Sequence, residues 1–166
     1  MLKIRTANIK DLEEIVDLHI ECWQQTYSNL LPVQYIDSYT AARRKRMWTN
    51  IFNAQVEHVA IAFWSSKPIG FINVGPDFES NYEGDYSLRS LYILKSYHNR
   101  GVGSSLMKFI ISEISPTLSK LSLLVLDSNV RAIDFYCSQG FIDTNQRYTE
   151  QVYDVELVDM KMKKRF

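Results

Sequence analysis

Charge of one sign is missing from this 166-residue chain: Lys plus Arg number 19, Asp plus Glu number 19, and the formal net charge is +0. Bulk nucleic-acid binding leans on a basic excess, so no nucleic-acid partner is expected. Long hydrophobic runs are missing too. None approaches the ~20 apolar residues of a membrane span. Met1-Leu2-Lys3-Ile4-Arg5 lacks the apolar stretch of a signal peptide. The expectation is a soluble cytoplasmic protein with no membrane partner. Cysteine is scarce: Cys22 and Cys137 both sit in apolar helical patterns, which predicts two buried thiols, no disulfide and no metal site. There is no Gly-Lys-Ser/Thr, so the nucleotide P-loop is excluded. A dinucleotide fingerprint would need a third glycine where Leu106 stands. Repeats, low-complexity tracts and linkers are absent as well. With 46% hydrophobic and 13% aromatic residues, the chain can bury one core, and residues 1–166 read as a single domain.

What is present is concentrated at His98-Asn99-Arg100-Gly101-Val102-Gly103, with Ser104-Ser105-Leu106 behind it. The segment follows the apolar run Leu91-Tyr92-Ile93-Leu94 and opens the helical pattern Leu106, Met107, Ile110, Ile111, Ile114. Two glycines therefore stand at a strand-to-helix turn. Unpaired N–H groups of a first helical turn point outward there, at the positive end of the helix dipole. Glycine lets the backbone approach a phosphate without a Cβ clash. The bland alternative is a tight turn that only caps a helix.

Leu2, Ile4 and Thr6 alternate as a first strand, and Asn8 with Asp11 reads as a capping box. Leu12, Ile15, Val16, His19, Cys22 and Trp23 form one helical face, on which His19 reads as a satisfied core or groove histidine. Pro32 starts a second helical piece, and Ala41 to Phe52 read as a third helix. The run Arg43-Arg44-Lys45-Arg46 within it reads as a solvated face, with steering of an anionic ligand as the alternative. Val56–Phe63 and Pro68–Val74 read as a hairpin across Trp64-Ser65-Ser66-Lys67. A polar loop carries Asp77, Glu79, Glu83 and Asp85, and a strand runs from Tyr86 to Leu94. Leu121–Leu126 is almost continuously apolar, as for a strand buried on both faces. Strand, helix and buried strand in that order imply a parallel pair with a right-handed crossover. Asn129–Gln139 reads as a short helix with Gly140 as its left-handed cap. The chain then ends in two strands, split near Thr149.

About thirty residues after the glycine turn comes Asn129-Val130-Arg131-Ala132-Ile133-Asp134-Phe135-Tyr136, then Gly140-Phe141. This pairing resembles the GCN5-related N-acetyltransferase (GNAT) family. His98 stands where the family pattern has Arg or Gln, and both glycines match. Asn129, Ala132, Phe135, Tyr136, Gly140 and Phe141 fit the second signature. Trp23, Tyr27 and Leu31-Pro32 also look like a segment of small bacterial members that lies over the acceptor groove; plain aromatic helix packing is the alternative. The resemblance implies an α/β fold: a mixed, mostly antiparallel sheet with one central parallel pair, flanked by helices on both faces. It implies acetyl-CoA as co-substrate and no metal. The cofactor would be held by Leu91, Tyr92, Ile93, His98, Asn99, Arg100, Gly101, Val102, Gly103, Ser104, Asn129 and Tyr136. Trp23 and Tyr27 would line the acceptor site.

Acetyl transfer to an amine poses two proton problems. With an alkylamine pKa near ~10.4, about one molecule in a few thousand is neutral at pH 7, so a base or a water chain must take a proton. The leaving thiolate then needs a proton, and the oxyanion a donor. Tyr136 is the candidate acid, by resemblance beside the sulfur; a core tyrosine is the other reading. Many relatives carry a glutamate five residues before the Tyr92 position, where this chain has Ser87. Asp85, two residues earlier and on the same strand face if no bulge intervenes, is the candidate base, with Glu83, Glu79 or a water relay as alternatives. The leading expectation is an N-acetyltransferase acting on a small-molecule primary amine by direct attack in a ternary complex. A catalytically silent acyl-CoA-binding regulatory module of the same fold is the second, and a generic nucleotide-phosphate binder the third. The apolar final strands are where a homodimer would form.

Overall fold

The computed structural model covers residues 1–166. Its seven strands are β1 (Leu2–Thr6), β2 (His58–Trp64), β3 (Lys67–Pro76), β4 (Asp85–Ile93), β5 (Lys120–Leu126), β6 (Ile142–Val152) and β7 (Val155–Arg165). They form one sheet in the order β1-β2-β3-β4-β5-β7-β6. Every neighbouring pair is antiparallel except β4–β5. The helices are α1 (Leu12–Tyr27), α2 (Val33–Ser38), α3 (Ala41–Ala54), α4 (Val102–Ile114) and α5 (Val130–Ser138). The expected mixed sheet with one central parallel pair is present.

Period-two alternation builds two cores, one on each face. Ala60, Ala62, Ile72, Val74, Leu121 and Leu123 meet Leu106, Met107 and Ile110 of α4. Val59, Ile61 and Phe71 meet Ile15, Leu18 and Cys22 of α1 and Trp48 of α3. A smaller cluster joins Leu31 and Ile36 to Leu126, Val152 and Leu157. Local chemistry sets the ends. The Thr40 hydroxyl accepts from the Arg43 N–H and caps α3. Ser65 and Ser66, with φ of 47° and 72°, make the two-residue hairpin that mirror-image turns require. Asn8 and Asp11 form the expected capping box on a short 3-10 turn before α1.

Four sequence expectations change. The last two strands split at Tyr153-Asp154, not near Thr149, because Tyr153 takes the turn at φ 52°. Cys137 is exposed, since α5 packs only through Ala132, Ile133, Phe135 and Tyr136; Cys22 is buried as expected. Leu124 of the apolar β5 run is 53% exposed. Arg44, within the supposedly solvated basic run, is 4% exposed. It lies one helical turn before Trp48 and so shares the inward face of α3.

Candidate functional site

The site begins where the parallel pair comes apart. Hydrogen-bonded register between β4 and β5 runs from Asp85 opposite Lys120 to Leu88 opposite Leu123, then stops. Beyond that point β4 stays paired with β3, and β5 with β7. Only the edges that β4 and β5 turn toward each other are free. The break coincides with a bulge in β4: Leu88 opposes Val74, Ser90 opposes Asn73, and Arg89 is the extra residue. The extra residue shifts the alternation. Tyr86, Leu88, Leu91 and Ile93 face the α4 core, and Tyr92 faces the α1 core. Between the parted strands lies a groove of about 850 Å³, within the ~300–1,000 Å³ range of ligand sites.

One end of the groove is the glycine turn. Gly101 precedes α4 with φ 75°, a left-handed conformation that L side chains rarely adopt, and a Cβ there would meet nothing within 4 Å. No side chain caps this helix, so its first-turn N–H groups remain available at the positive end of the dipole. Gly103 serves another purpose. A Cβ there would lie 3.0 Å from Phe135 Cζ and 3.2 Å from Ile93 Cδ1, so this glycine lets α4 approach α5 and β4. A branched residue at 103 would therefore press on the core, not on a ligand. Nε2 of His98 bonds the Ile93 carbonyl at 2.7 Å and ties the turn to the end of β4. Burial, and then the nearby Arg131 and Lys95 charges, hold this imidazole below its ordinary pKa despite that bond. It is neutral, with Nε2–H as the donor.

Asn129 caps α5, its Oδ1 accepting from the Ala132 N–H at 3.3 Å. Leu91, Tyr92, Ile93, His98, Asn99, Gly101, Val102, Gly103, Ser104, Asn129, Tyr136 and Tyr27 all line the groove. Arg100 does not; it stacks its guanidinium on Tyr97 and Trp64, 5.3 and 5.9 Å from the ring centroids. Tyr136 packs against Phe135 and Phe141. Burial raises its pKa, and the charge of Tyr27 adds to the rise. Tyr27 and Tyr92 are raised as well, mainly by burial, and their hydroxyls lie 3.4 Å apart. The Tyr27, Tyr92 and Tyr136 phenols of the groove thus stay protonated at neutral pH and can donate.

Behind Tyr92 the aromatic wall is fixed. Trp48 Nε1 donates to His19 Nδ1 at 2.9 Å, and the His19 ring lies 5.1 Å from that of Tyr92. Burial, helped by the Arg44 charge, depresses the His19 pKa to about 3. His19 is a neutral prop, as the helical face implied. Trp23 is not on the groove wall. It stacks behind Tyr27, with ring centroids 4.5 Å apart.

Asp85 lies away from the groove, at the closed end of the parallel pair. Lys120 Nζ is 2.8 Å from it, and the Ser80 hydroxyl donates to it at 2.6 Å. Burial would raise its pKa, but these two donors outweigh that and hold the carboxyl below its ordinary range. Glu79 is likewise committed, to Lys161 and Tyr148. The carboxylate that sequence reasoning missed is Asp159. It pairs in register with Leu126 of β5 and shares the sheet face of Leu157, the side of Trp23 and Tyr27. Burial foremost, then Glu150 and Asp127, raise its pKa, and its charge is felt at Tyr27. The alternation Leu157, Asp159 was visible in the sequence; that it faced the aromatic helix was not.

The acetyltransferase (GNAT) family model matches residues 12–141. Among curated proteins, the chain is similar to the uncharacterized N-acetyltransferase YuaI of Bacillus subtilis, at 27% identity over 113 residues, spanning 64% of this chain and 61% of that protein. It is also similar to the spermidine N(1)-acetyltransferase of Thermoplasma acidophilum, at 24% identity, with 99% of this chain and 98% of that protein covered. Among solved structures, the PaiA N-acetyltransferase of Thermoplasma acidophilum in complex with coenzyme A superposes with a TM-score of 0.76 at 21% identity, covering 100% and 99% of the two chains. That last likeness is one of fold.

Proposed function

The chain belongs to the acetyltransferase (GNAT) family, and from that premise we propose that it transfers the acetyl group of acetyl-CoA to a primary amine of a small molecule by direct attack in a ternary complex. The observation that carries this reading is the parted β4–β5 edge running into the uncapped start of α4. An extended amide-bearing arm can add to the free main chain of Leu91–Ile93 as a further strand would. A pyrophosphate fits the free amides of Val102, Gly103 and Ser104, with open space over Gly101.

Acetyl-CoA supplies an activated thioester. The amine nitrogen attacks its carbonyl carbon, and the C–S bond breaks as the N–C bond forms. The free N–H groups of the β4 edge are donors for the developing oxyanion. Tyr136 gives its phenolic proton to the departing thiolate, a role its raised pKa leaves open at neutral pH. The ammonium proton of the incoming amine passes toward Asp159, directly or through water along the Tyr27 side, and the second N–H proton, released as the amide forms, returns through water to the Tyr136 phenolate. A carboxyl with a raised pKa is the better base, and this one lies on the sheet face that packs toward Tyr27, where its charge is felt. No nucleophilic cysteine is needed: Cys22 is buried, and its thiol is pushed up to about 12 by burial. The relative that acetylates spermidine supports an amine as acceptor.

The test is acetyl transfer to a mixed panel of amines followed by mass, beside CoA binding by calorimetry, for the wild type and Tyr136→Phe. The expected result is product with at least one amine, and a kcat lower by about 10²–10⁴-fold in the variant with CoA affinity kept. CoA binding with no transfer to any amine would favour the silent acyl-CoA-binding module.

A further inference from the structure

Arg44 is a buried cation without an anion. The residue is 4% exposed, and neither Nε nor Nη2 has a hydrogen-bond partner. No carboxylate pairs with it. The titratable groups around it are the phenols of Tyr92, Tyr39 and Tyr27, neutral at pH 7, and a second cation, Arg43. Its guanidinium carbon lies 4.6 Å from the Trp23 ring centroid and 4.3 Å from that of Tyr39. Arg43 covers the Tyr39 ring as well, at 3.9 Å. Cation–π contact offsets part of the cost of burying a charge, but leaves the N–H groups in the guanidinium plane unsatisfied.

A second orphan lies against the first. Trp23 Nε1 is buried with no acceptor, on the ring that Arg44 packs over. Two packed residues on two helices thus carry three buried donors with nothing to receive them. The two on Arg44 are informative in kind. Nε and Nη2 form one edge of the guanidinium, the edge that grips both oxygens of a carboxylate in parallel hydrogen bonds. The place is one ring away from the groove: Trp23 stacks on Tyr27, and the Tyr27 hydroxyl meets that of Tyr92 on the groove wall. Asp159, on the β7 face that packs toward Trp23 and Tyr27, is a group of opposite sign whose charge is felt at Tyr27.

We propose that Arg44 and Trp23 form an anion subsite that holds a carboxylate of the amine acceptor, so that the substrate is an amino acid or amino-acid-like zwitterion and not a polycation. This rests on the transferase reading above and deepens it. The ammonium end is drawn to the Asp159 side, where the proton must leave. The carboxylate end is gripped by the Arg44 edge, with the Trp23 N–H as a further donor. A polyamine such as spermidine would put a second positive charge against Arg44 and leave all three donors unsatisfied.

The experiment uses ω-amino acids of increasing chain length, from glycine to 6-aminohexanoate, each beside its carboxamide, with spermidine as a separate arm. Binding to the CoA-loaded wild type is measured by calorimetry, and transfer from acetyl-CoA by mass. At the length that spans the two poles, the free acid is expected to bind about tenfold to a hundredfold more tightly than its amide, the effect of losing charge-assisted hydrogen bonds. Arg44→Lys keeps the charge but not the fork and should erase most of that ratio. Trp23→Phe keeps the ring and should erase a smaller part, and it stands in if the lysine variant fails to fold. Equal binding of acid and amide at every length, no binding of any amino acid, or spermidine as the better-bound acceptor each overturns the subsite. If the acid–amide ratio appears but no amine is acetylated, the subsite stands and the transferase reading falls.

Discussion

His19 offers a direct physical test of the wall that holds Tyr92. Its Nδ1 accepts from Trp48 Nε1 at 2.9 Å inside the α1 core, so protonation there would set two donors against each other. With burial acting first and the Arg44 charge second, the folded pKa is about 3 against an unfolded value of 6.5. A depressed histidine favours folding while it is neutral. The stability is whole above the unfolded pKa and is lost as the pH falls below about 6.5 toward 3, because the unfolded chain then takes up a proton that the folded chain refuses. Between pH 7 and pH 5 the loss from this residue alone is about 2 kcal/mol. His19→Gln keeps a carbonyl for the Trp48 N–H and removes the titration. Its fixed cost in packing does not depend on pH, and His98 titrates alike in both proteins. Urea unfolding of each at pH 7 and pH 5 should show the wild type losing about 2 kcal/mol more than the variant over that interval. Equal losses would refute the buried neutral histidine and the rigid aromatic wall built on it.

Gly103→Val should lower stability by about 1–3 kcal/mol in urea unfolding, through contact with Phe135 and Ile93. Gly101→Asn, a side chain that tolerates positive φ, points into the open space and should weaken CoA by calorimetry more than it disturbs the fold; a Gly101 variant with wild-type CoA affinity would remove the pyrophosphate from this turn. Asp159→Asn should lower kcat/KM and flatten its pH profile on the acid side, where the raised carboxyl of the wild type loses its proton. An unchanged profile would return the proton to water alone.

The glycine turn, the parallel pair and the α5 signature were legible because each is a local pattern with one mechanical meaning. Position along the chain did not reveal which glycine faces a ligand and which faces a ring. Gly101 and Gly103 look alike in sequence and part only when α5 brings Phe135 onto the second. The bulge at Arg89, which no residue pattern marked, reassigned the faces of β4 and parted the strands. Arg44 was misread because four basic residues in a row outweigh a helical period, although Trp48 four residues on was the signal of an inward face. Asp85 failed as a groove residue because Lys120 and Ser80, distant in sequence, claim its carboxylate.

The most direct test is a crystal structure with acetyl-CoA. The account predicts the pyrophosphate within hydrogen-bonding distance of the Val102, Gly103 and Ser104 amides. It predicts the pantetheine arm along Leu91–Ile93 in the gap beyond Leu88 and Leu123, with the sulfur facing the Tyr136 hydroxyl. A β4–β5 ladder closed up to Ile93, or a cofactor bound anywhere else, would contradict it.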